Sequence, residues 1–158
     1  MKSPDSKLKL YLDTTIPSYV FALDSPERMA VTRRFMRLLA DPGYEMVISD
    51  IVIREINRAT QPKRDLLLEV VRGIPILAAT AQSDSLAEAY IQAGALPRGS
   101  IEDAMHVAIA TLYNVDALIS WNFGHLVNIR RAKAIATVNA SKGLPHIEIL
   151  SPEEVIPE

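Results

Sequence analysis

Residues 8–18 read LKLYLDTTIPS, and this stretch sets the framework for the rest of the chain. A leucine-rich run, Leu8 to Leu12, stops at Asp13 and is followed by two threonines and Pro17. A short apolar run bounded by turn residues is typical of a β-strand. The stretch therefore predicts a strand with a carboxylate directly at its carboxyl end.

Strand-type runs recur along the sequence, separated by helical segments. Further β-type runs occupy residues 45–48, 74–77, 117–120 and 146–150, and Pro75 favours an edge position for the second of these runs. Segments with helical punctuation lie between the runs, at residues 26–40, 50–59, 62–73, 82–94, 101–113 and 125–142. Strands that alternate with helices predict an α/β fold, here a three-layer α/β/α sandwich with a central parallel sheet of about five strands.

The composition limits the class of protein. The 158 residues are 49% hydrophobic and 23% charged, which predicts one domain spanning residues 1–158. Seventeen basic against nineteen acidic residues give a net charge of −2, so any contact with nucleic acid must come from a local patch. The absence of cysteine excludes disulfides, thiolate catalysis and Cys-ligated zinc. Charges interrupt residues 1–15, so we expect neither a signal peptide nor a membrane span, and a cytoplasmic protein.

Four polar residues occupy positions of special interest in this framework. Asp13 follows the first strand, Glu55 interrupts an apolar pattern in the helix after the second strand, and Asp103 lies in the first turn of the helix that begins at residue 101. Asn122 lies just past the fourth strand. Because ligands of parallel sheets bind at the carboxyl ends of the strands, we expect these four side chains to converge there.

A cluster of carboxylates indicates a particular chemistry. Two carboxylates about 4 Å apart repel each other by roughly 4 kcal/mol at an effective dielectric of about 20. A divalent cation reverses that effect, and Mg²⁺ or Mn²⁺ prefers such hard oxygen ligands. Since a bound ion of this kind activates water beside a phosphodiester, the pattern predicts metal-assisted hydrolysis.

Each acid also has a purely structural interpretation. A carboxylate after a strand, such as Asp13, commonly caps a turn. Glu55 could instead be a solvated helix residue that pairs with Arg58 or Arg54. Asp103 suits the first turn of a helix, where Ser100 and Asp103 would form a capping box. Only the joint placement of the acids favours a functional site.

Four successive stretches resemble the motifs of PIN-domain proteins. They are YLDTTIPS at residues 11–18, ISDIVIREI at 48–56, EDAMHVAIA at 102–110 and VDALISWNFGHLVN at 115–128. The resemblance spans nearly the whole chain. It implies a VapC-like, Mg²⁺- or Mn²⁺-dependent endoribonuclease, with RNA as substrate and a small antitoxin protein as partner. A homodimer is also expected, with the apolar stripe of residues 29–39 as one candidate face.

The resemblance also assigns roles to individual residues. Asp13, Glu55 and Asp103 match the first three acidic residues of the family's metal site, and with Asn122 they form the expected catalytic set. The residues expected to contact substrate or to support these groups are polar neighbours of the set: Thr14, Thr15, Ser120 and His106.

The sequence departs from the family pattern at Asn122. Many members carry an Asp there, whereas residues 121–125 read WNFGH, which resembles a subgroup of poorly defined cellular role. An amide keeps a carbonyl ligand but loses a charge, which weakens a second metal site and favours a single ion or low activity. The alternative function is a catalytically weak PIN-like module that binds RNA or protein.

Other protein classes fit the sequence less well, and several further residues have two interpretations. A phosphatase with an Asp nucleophile is disfavoured because Thr15 stands where a general acid is expected, and no Gly-rich phosphate loop supports a nucleotide-binding protein. Basic runs at residues 33–37 and 130–133 are either phosphate contacts or solvated helix faces. Trp121 and Phe123 either stack on a base or belong to the core.

Overall fold

Strand β1, Leu8–Leu12, lies in the middle of a parallel sheet in the computed structural model, which describes residues 7–157. The other strands are β2 (Tyr44–Ser49), β3 (Ile76–Leu77), β4 (Ala117–Ile119) and β5 (Glu148–Leu150). Their order across the sheet is β3-β2-β1-β4-β5, and all neighbours run parallel. The predicted α/β class and five-stranded parallel sheet are confirmed, including the edge position of the strand after Pro75.

Helices connect the strands and cover both faces of the sheet. They are α1 (Thr15–Tyr19), α2 (Pro26–Met36), α3 (Asp50–Asn57), α4 (Lys63–Val71), α5 (Ala81–Gln92), α6 (Ile101–Leu112) and α7 (Ile129–Ser141). Single 3₁₀ turns occupy Arg37–Ala40 and Pro152–Glu154.

Two helix boundaries differ from the sequence expectation. The five-residue α1 was not predicted, because Pro17 indicated a stop; at the third helical position its missing N–H costs no intrahelical bond. Helix α7 begins four residues later than predicted. Asn128 caps it by accepting hydrogen bonds from the backbone N–H groups of Arg130 and Arg131, at 3.0 and 3.3 Å.

Helix caps follow the sequence signals in α3 but not in α6. The Ser49 hydroxyl accepts a hydrogen bond from the Ile51 N–H at 3.2 Å, so this serine, which precedes the helix in the sequence, caps α3. The predicted capping box of Ser100 and Asp103 is wrong, because the Ser100 side chain makes no cap hydrogen bond. Its hydroxyl lies instead 3.1 Å from Nδ1 of His125, which leaves the side chain of Asp103 available for other contacts.

The core consists of two apolar layers, one on each face of the sheet. In β1, Leu10 and Leu12 face the layer that contains Phe35, whereas Tyr11 faces the layer built on α5, α6 and α7. This alternation follows from the two-residue period of a strand. Burying each large aliphatic side chain stabilises the fold by about 1.5–3 kcal/mol, and a one-residue slip of β1 would exchange its two buried faces.

No helix within residues 7–157 combines the length and the apolar character needed to cross a bilayer. Residues 1–6, which contribute to the expectation that no leader is present, lie outside the described part of the chain.

Candidate active site

The four residues singled out in the sequence lie at the carboxyl edge of the sheet. Asp13 follows β1, Glu55 lies in α3 directly after β2, Asp103 lies in the first turn of α6, and Asn122 follows β4. Because β1 pairs with both β2 and β4, the sheet order places these elements side by side. Burial is the main cause that raises the pKa of Asp13 and of Asp103. The charge of Asp103 adds to the first rise and the charge of Glu55 to the second, so these three carboxylates, called the acidic cluster below, act on one another.

Asp13 is the most deeply buried acid of the cluster, with 2% of its surface exposed. Its Oδ1 atom accepts hydrogen bonds from the backbone N–H of Thr15, at 3.0 Å, and from the Thr15 hydroxyl. Burial raises the pKa of Asp13 to about 6, while the positive charge of His106 and two hydroxyl groups oppose part of that rise. The fold therefore holds this carboxylate where a nearby cation would stabilise its charged form.

Glu55 is held by a histidine. Its Oε1 atom lies 2.6 Å from Nε2 of His106. Partial burial raises the pKa of Glu55, but the hydrogen bond and charge of His106 outweigh it, so the net pKa is lowered. Arg58, the partner in the structural interpretation, forms its ion pair with Glu102. Glu55 is thus a charged side chain with a fixed orientation.

His106 belongs to a buried chain of hydrogen bonds. Its Nδ1 atom lies 2.6 Å from the Tyr11 hydroxyl, which in turn lies 2.6 Å from the Ser49 hydroxyl. Burial lowers the pKa of His106, but the hydrogen bond and charge of Glu55 raise it overall. Since a carboxylate only accepts, Nε2–H donates to Glu55, and the two hydroxyls can turn to satisfy Nδ1 in either protonation state. His106 therefore positions Glu55 from within the core.

Tyr11 and Ser49 are members of this chain that the sequence did not reveal. Tyr11 reads as an ordinary residue of a buried strand, and Ser49 as a helix cap. The one available signal is a hydroxyl inside an otherwise apolar run, which calls for a buried hydrogen-bond partner.

Asp103 contacts both Asn122 and His125. The Asn122 Nδ2 group donates to Oδ2 of Asp103 at 3.3 Å, and Nδ1 of His125 lies 3.3 Å from the same oxygen. Burial raises the pKa of Asp103, and the charges of His106 and His125 offset part of that rise. The side chains of Asn122 and His125 therefore both orient Asp103 through the same oxygen.

The Asn122 amide is oriented differently from the sequence expectation of a carbonyl ligand. Its Oδ1 atom accepts the backbone N–H of His125 at 3.0 Å, while its NH₂ group faces Asp103. The reverse orientation would set a carbonyl against a carboxylate and an NH₂ group against an N–H, and both contacts are repulsive. In this arrangement Asn122 holds Asp103 and offers no free oxygen to an ion.

Two of the expected supporting hydroxyls join the first and fourth strands. The Thr15 hydroxyl donates to Asp13 and accepts the backbone N–H of Trp121 at 2.9 Å. The Ser120 hydroxyl accepts the backbone N–H of Asn122 at 2.9 Å and lowers the pKa of Asp13. Both hydroxyls therefore fix the loop after β4 against the end of β1.

Residues 10–126 match the family model of the PIN domain, and all four site residues lie within that stretch. The chain belongs to the PIN-domain family. The resemblance noted in the sequence motifs is confirmed. No curated protein sequence matches the chain.

Solved structures share the fold of this PIN domain. The chain is similar to a chain in the crystal structure of VapBC2 from Rickettsia felis bound to a DNA fragment from their promoter, with a TM-score of 0.60 and 16% identity over 91% of this chain and 98% of that one. It is also similar to Mycobacterium tuberculosis VapC20, a sarcin–ricin loop cleaving toxin, with a TM-score of 0.53 and 14% identity over 73% of this chain and 92% of that one. At these identities the likeness concerns the fold.

The donor groups of this PIN domain fit a hydrated divalent ion. Within residues 7–157, no three Asp, Glu or His side chains converge closely enough to enclose an ion by themselves. Mg²⁺ typically takes only one or two carboxylates and keeps several waters. The Thr14 hydroxyl is buried, makes no hydrogen bond of ordinary geometry among the described residues, and lies close enough to Glu55 to lower the pKa of that carboxyl. Hard oxygen donors and an unpartnered hydroxyl match the ligand preference of Mg²⁺ or Mn²⁺.

Proposed function

We propose that this PIN domain is a metal-dependent endoribonuclease, a hydrolase that cleaves RNA phosphodiester bonds. The observation that carries the proposal is the cluster of Asp13, Glu55 and Asp103 at the carboxyl edge of a PIN fold, with each carboxylate oriented by its own hydrogen-bond partner. A structural role for these acids explains their placement less well, because burial raises the pKa of both Asp13 and Asp103. Such carboxylates gain most from a bound cation.

Asp13, Asp103 and Glu55 are the proposed ligands of Mg²⁺ or Mn²⁺. When bound, the ion would supply an activated water and neutralise charge on the phosphodiester. The chain's own residues prepare the site for that chemistry. Thr15 fixes Asp13, and His106 holds Glu55 in its charged form.

The remaining polar residues have supporting roles in the proposal. Asn122 orients Asp103 by a hydrogen bond, and Ser120 holds the backbone of Asn122. The Thr14 hydroxyl is buried beside Glu55, whose pKa it lowers, and its proposed role is to support that carboxylate.

Cleavage of single-stranded RNA by the purified protein in Mn²⁺ tests the proposal. We expect Asp13→Asn and Asp103→Asn each to lower the cleavage rate by about two orders of magnitude or more. Removing a group that stabilises charge in the transition state commonly has an effect of this size. Asp84→Asn is a matched control, since Asp84 is an exposed acid in the first turn of the neighbouring helix α5. Undiminished cleavage in both site variants would refute the assignment.

A second candidate function is a catalytically weak module that binds RNA or protein. The orientation of Asn122 favours it, because the amide donates to Asp103 and adds no negative charge. A wild-type protein that binds RNA without cutting it, and an Asn122→Asp variant that cuts RNA, would select this function. Cleavage by the wild type excludes it.

We further propose that the protein is the toxin of a type II toxin–antitoxin pair. The proposal rests on the fold shared with VapC20 and with a chain of the VapBC2 structure. The proposed setting is a single domain over residues 1–158, acting in the cytoplasm as a homodimer and neutralised by a small antitoxin. Growth arrest on expression, relieved by the product of a neighbouring short reading frame, tests this role. Growth arrest by Asp103→Asn would contradict it.

A further inference from the structure

An arginine is surrounded by three aromatic rings beside the acidic cluster. The Cζ atom of Arg28 lies 4.8 Å from the ring centroid of Phe123, 5.2 Å from that of Trp121 and 5.8 Å from that of Tyr19. These four residues are called the Arg28 cluster below. Cations attract aromatic faces at such distances, so the guanidinium is held in place without a carboxylate.

Trp121 and Phe123 have different roles in this cluster. Trp121 is buried, and its Nε1–H donates to the Thr32 hydroxyl at 2.8 Å. Thr32 in turn donates to the backbone carbonyl of Arg28 at 2.6 Å, which ties α2 to the loop after β4. Phe123 packs edge-on against Trp121 but is 39% exposed. Trp121 therefore belongs to the core, whereas Phe123 presents an aromatic surface to solvent.

The Arg28 cluster adjoins the proposed catalytic residues. The backbone N–H of Trp121 donates to the Thr15 hydroxyl, which is bonded to Asp13. Phe123 directly follows Asn122, whose amide is bonded to Asp103. The backbone segment that carries Phe123 is therefore bonded to the residues that hold Asp13 and Asp103.

No acidic side chain in the described part of the chain neutralises the charge of Arg28. Among residues 7–157, no carboxylate lies within ion-pairing distance of its guanidinium, and its side chain makes only one long hydrogen bond, 3.4 Å to the Tyr19 hydroxyl. A guanidinium has five N–H donors, so most of them are free. A cation with free donors beside an exposed aromatic ring matches the two parts of a nucleotide, its phosphate and its base.

We propose that Arg28 and Phe123 form a nucleotide-binding subsite, in which Arg28 contacts a backbone phosphate and Phe123 stacks on an unpaired base next to the cleaved bond. This inference rests on the proposed nuclease function and adds two residues that would bind its substrate. Bases in a duplex are already stacked and inaccessible, so the subsite selects single-stranded RNA. A protein partner at this surface would call for acidic or apolar complementarity in place of a base.

Binding of a labelled ten-nucleotide single-stranded RNA tests the subsite. The RNA contains 2-aminopurine, whose fluorescence falls on stacking, and binding is measured in an Asp103→Asn background that prevents cleavage. We expect Phe123→Ala to weaken binding about tenfold and to abolish the fluorescence change, and Phe123→Tyr to retain both. Binding of the matched duplex RNA should not differ between the two variants.

Arg28→Gln is expected to weaken binding about tenfold and to reduce the salt dependence by about one phosphate contact. Arg34→Gln is the matched control, because Arg34 lies exposed on the same helix α2 and loses the same charge. Thermal melting followed by circular dichroism verifies that each variant keeps the fold.

The outcomes separate the subsite from the nuclease function. Equal binding by Phe123→Ala and Phe123→Tyr, or equal losses in Arg28→Gln and Arg34→Gln, would overturn the subsite and assign the surface to a protein partner or to the core. Cleavage in Mn²⁺ with Asp103 intact is measured separately. Wild-type cleavage with an unchanged KM in Phe123→Ala would leave the nuclease function standing and the subsite refuted. Stacking and binding without any cleavage by the wild type would support the subsite and refute the nuclease function.

Discussion

The Nε2 atom of His106 lies 2.6 Å from Oε1 of Glu55, which places a buried imidazole directly behind one carboxylate of the acidic cluster. The same ring reaches Tyr11 through its other nitrogen, also at 2.6 Å. The position of Glu55 is therefore set by the core of the protein as well as by its own helix. Stability and the geometry of the site are coupled through this one side chain.

Tyr11→Phe should weaken that coupling. The change removes the hydroxyl between Ser49 and His106 and leaves buried polar atoms without a partner. We expect the free energy of unfolding to fall by about 1–3 kcal/mol. We also expect RNA cleavage to fall, because Glu55 loses its fixed support. Urea denaturation and the rate in Mn²⁺ measure the two effects.

Tyr90→Phe provides the comparison. The Tyr90 hydroxyl is also buried and donates to Oδ1 of Asn139 at 2.6 Å, away from the acidic cluster. A similar loss of stability with unchanged cleavage is expected. Equal loss of cleavage in both tyrosine variants would show that the effect of Tyr11 is general destabilisation.

The ion pair of Glu55 and His106 should give a distinctive pH profile. The lowered pKa of Glu55 contributes stability above its unfolded value of 4.5, and this contribution is lost as the pH falls through the folded value. The raised pKa of His106 contributes fully below its unfolded value of 6.5, and this contribution is lost as the pH rises. Glu55→Gln should therefore destabilise the metal-free protein most between the two unfolded values, pH 4.5 and pH 6.5. A constant difference from pH 5 to pH 9 in denaturation experiments would contradict the ion pair.

Ionisation of Asp13 should destabilise the fold, whereas the charged forms of Glu55 and His106 stabilise it. Burial raises its pKa from 3.8 to about 6, so its ionisation opposes folding, and stability falls as the pH rises between those values. In metal-free protein, Asp13→Asn should raise the free energy of unfolding at neutral pH by on the order of 3 kcal/mol, because the pKa of Asp13 is raised from 3.8 to about 6 and each pKa unit corresponds to about 1.4 kcal/mol. Asparagine keeps the oxygen that accepts from Thr15. Thermal melts at pH 4 and pH 7.5 in EDTA, with a gain only at the higher pH, would match this expectation.

Asn122→Asp should lower the stability of the metal-free protein and raise its affinity for a cation. The new carboxylate loses the hydrogen bond to Asp103 and repels it, so the metal-free protein should unfold at a lower temperature. Bound Mn²⁺ should reverse the loss, with affinity at least about tenfold above wild type because a fourth charged ligand is available. Isothermal titration with Mn²⁺ measures the affinity. An unchanged affinity would place the ion away from Asp103.

Asp13 shows how much of the site the sequence could predict. Its place at the end of LKLYL, together with the rule for parallel sheets, was enough to locate the site edge and to bring Glu55 and Asp103 toward it. The direction of the Asn122 amide was not predictable, since it depends on where the backbone N–H of His125 lies. Loop geometry of that kind leaves no periodic signal in the sequence.

The Arg28 cluster was missed for a related reason. Residues 26–40 read as an amphipathic helix, and Arg28 is one of several arginines in that region. Its position over Phe123 depends on how α2 packs against the loop after β4, which local patterns do not specify. Similarly, the two-residue period of β1 predicts which face Tyr11 occupies but not that His106 lies opposite its hydroxyl.

The sheet order described above also governs when the candidate site can assemble during synthesis of the chain. Asp13 and Asp103 lie on segments that leave the ribosome at different times, and β1 gains its second neighbour in the sheet only after β4 has been made. A nascent chain that has released β1, β2 and α3 from the ribosome still lacks Asp103 and the loop that orients it. The proposed nuclease site is therefore completed only after most of the chain has been translated.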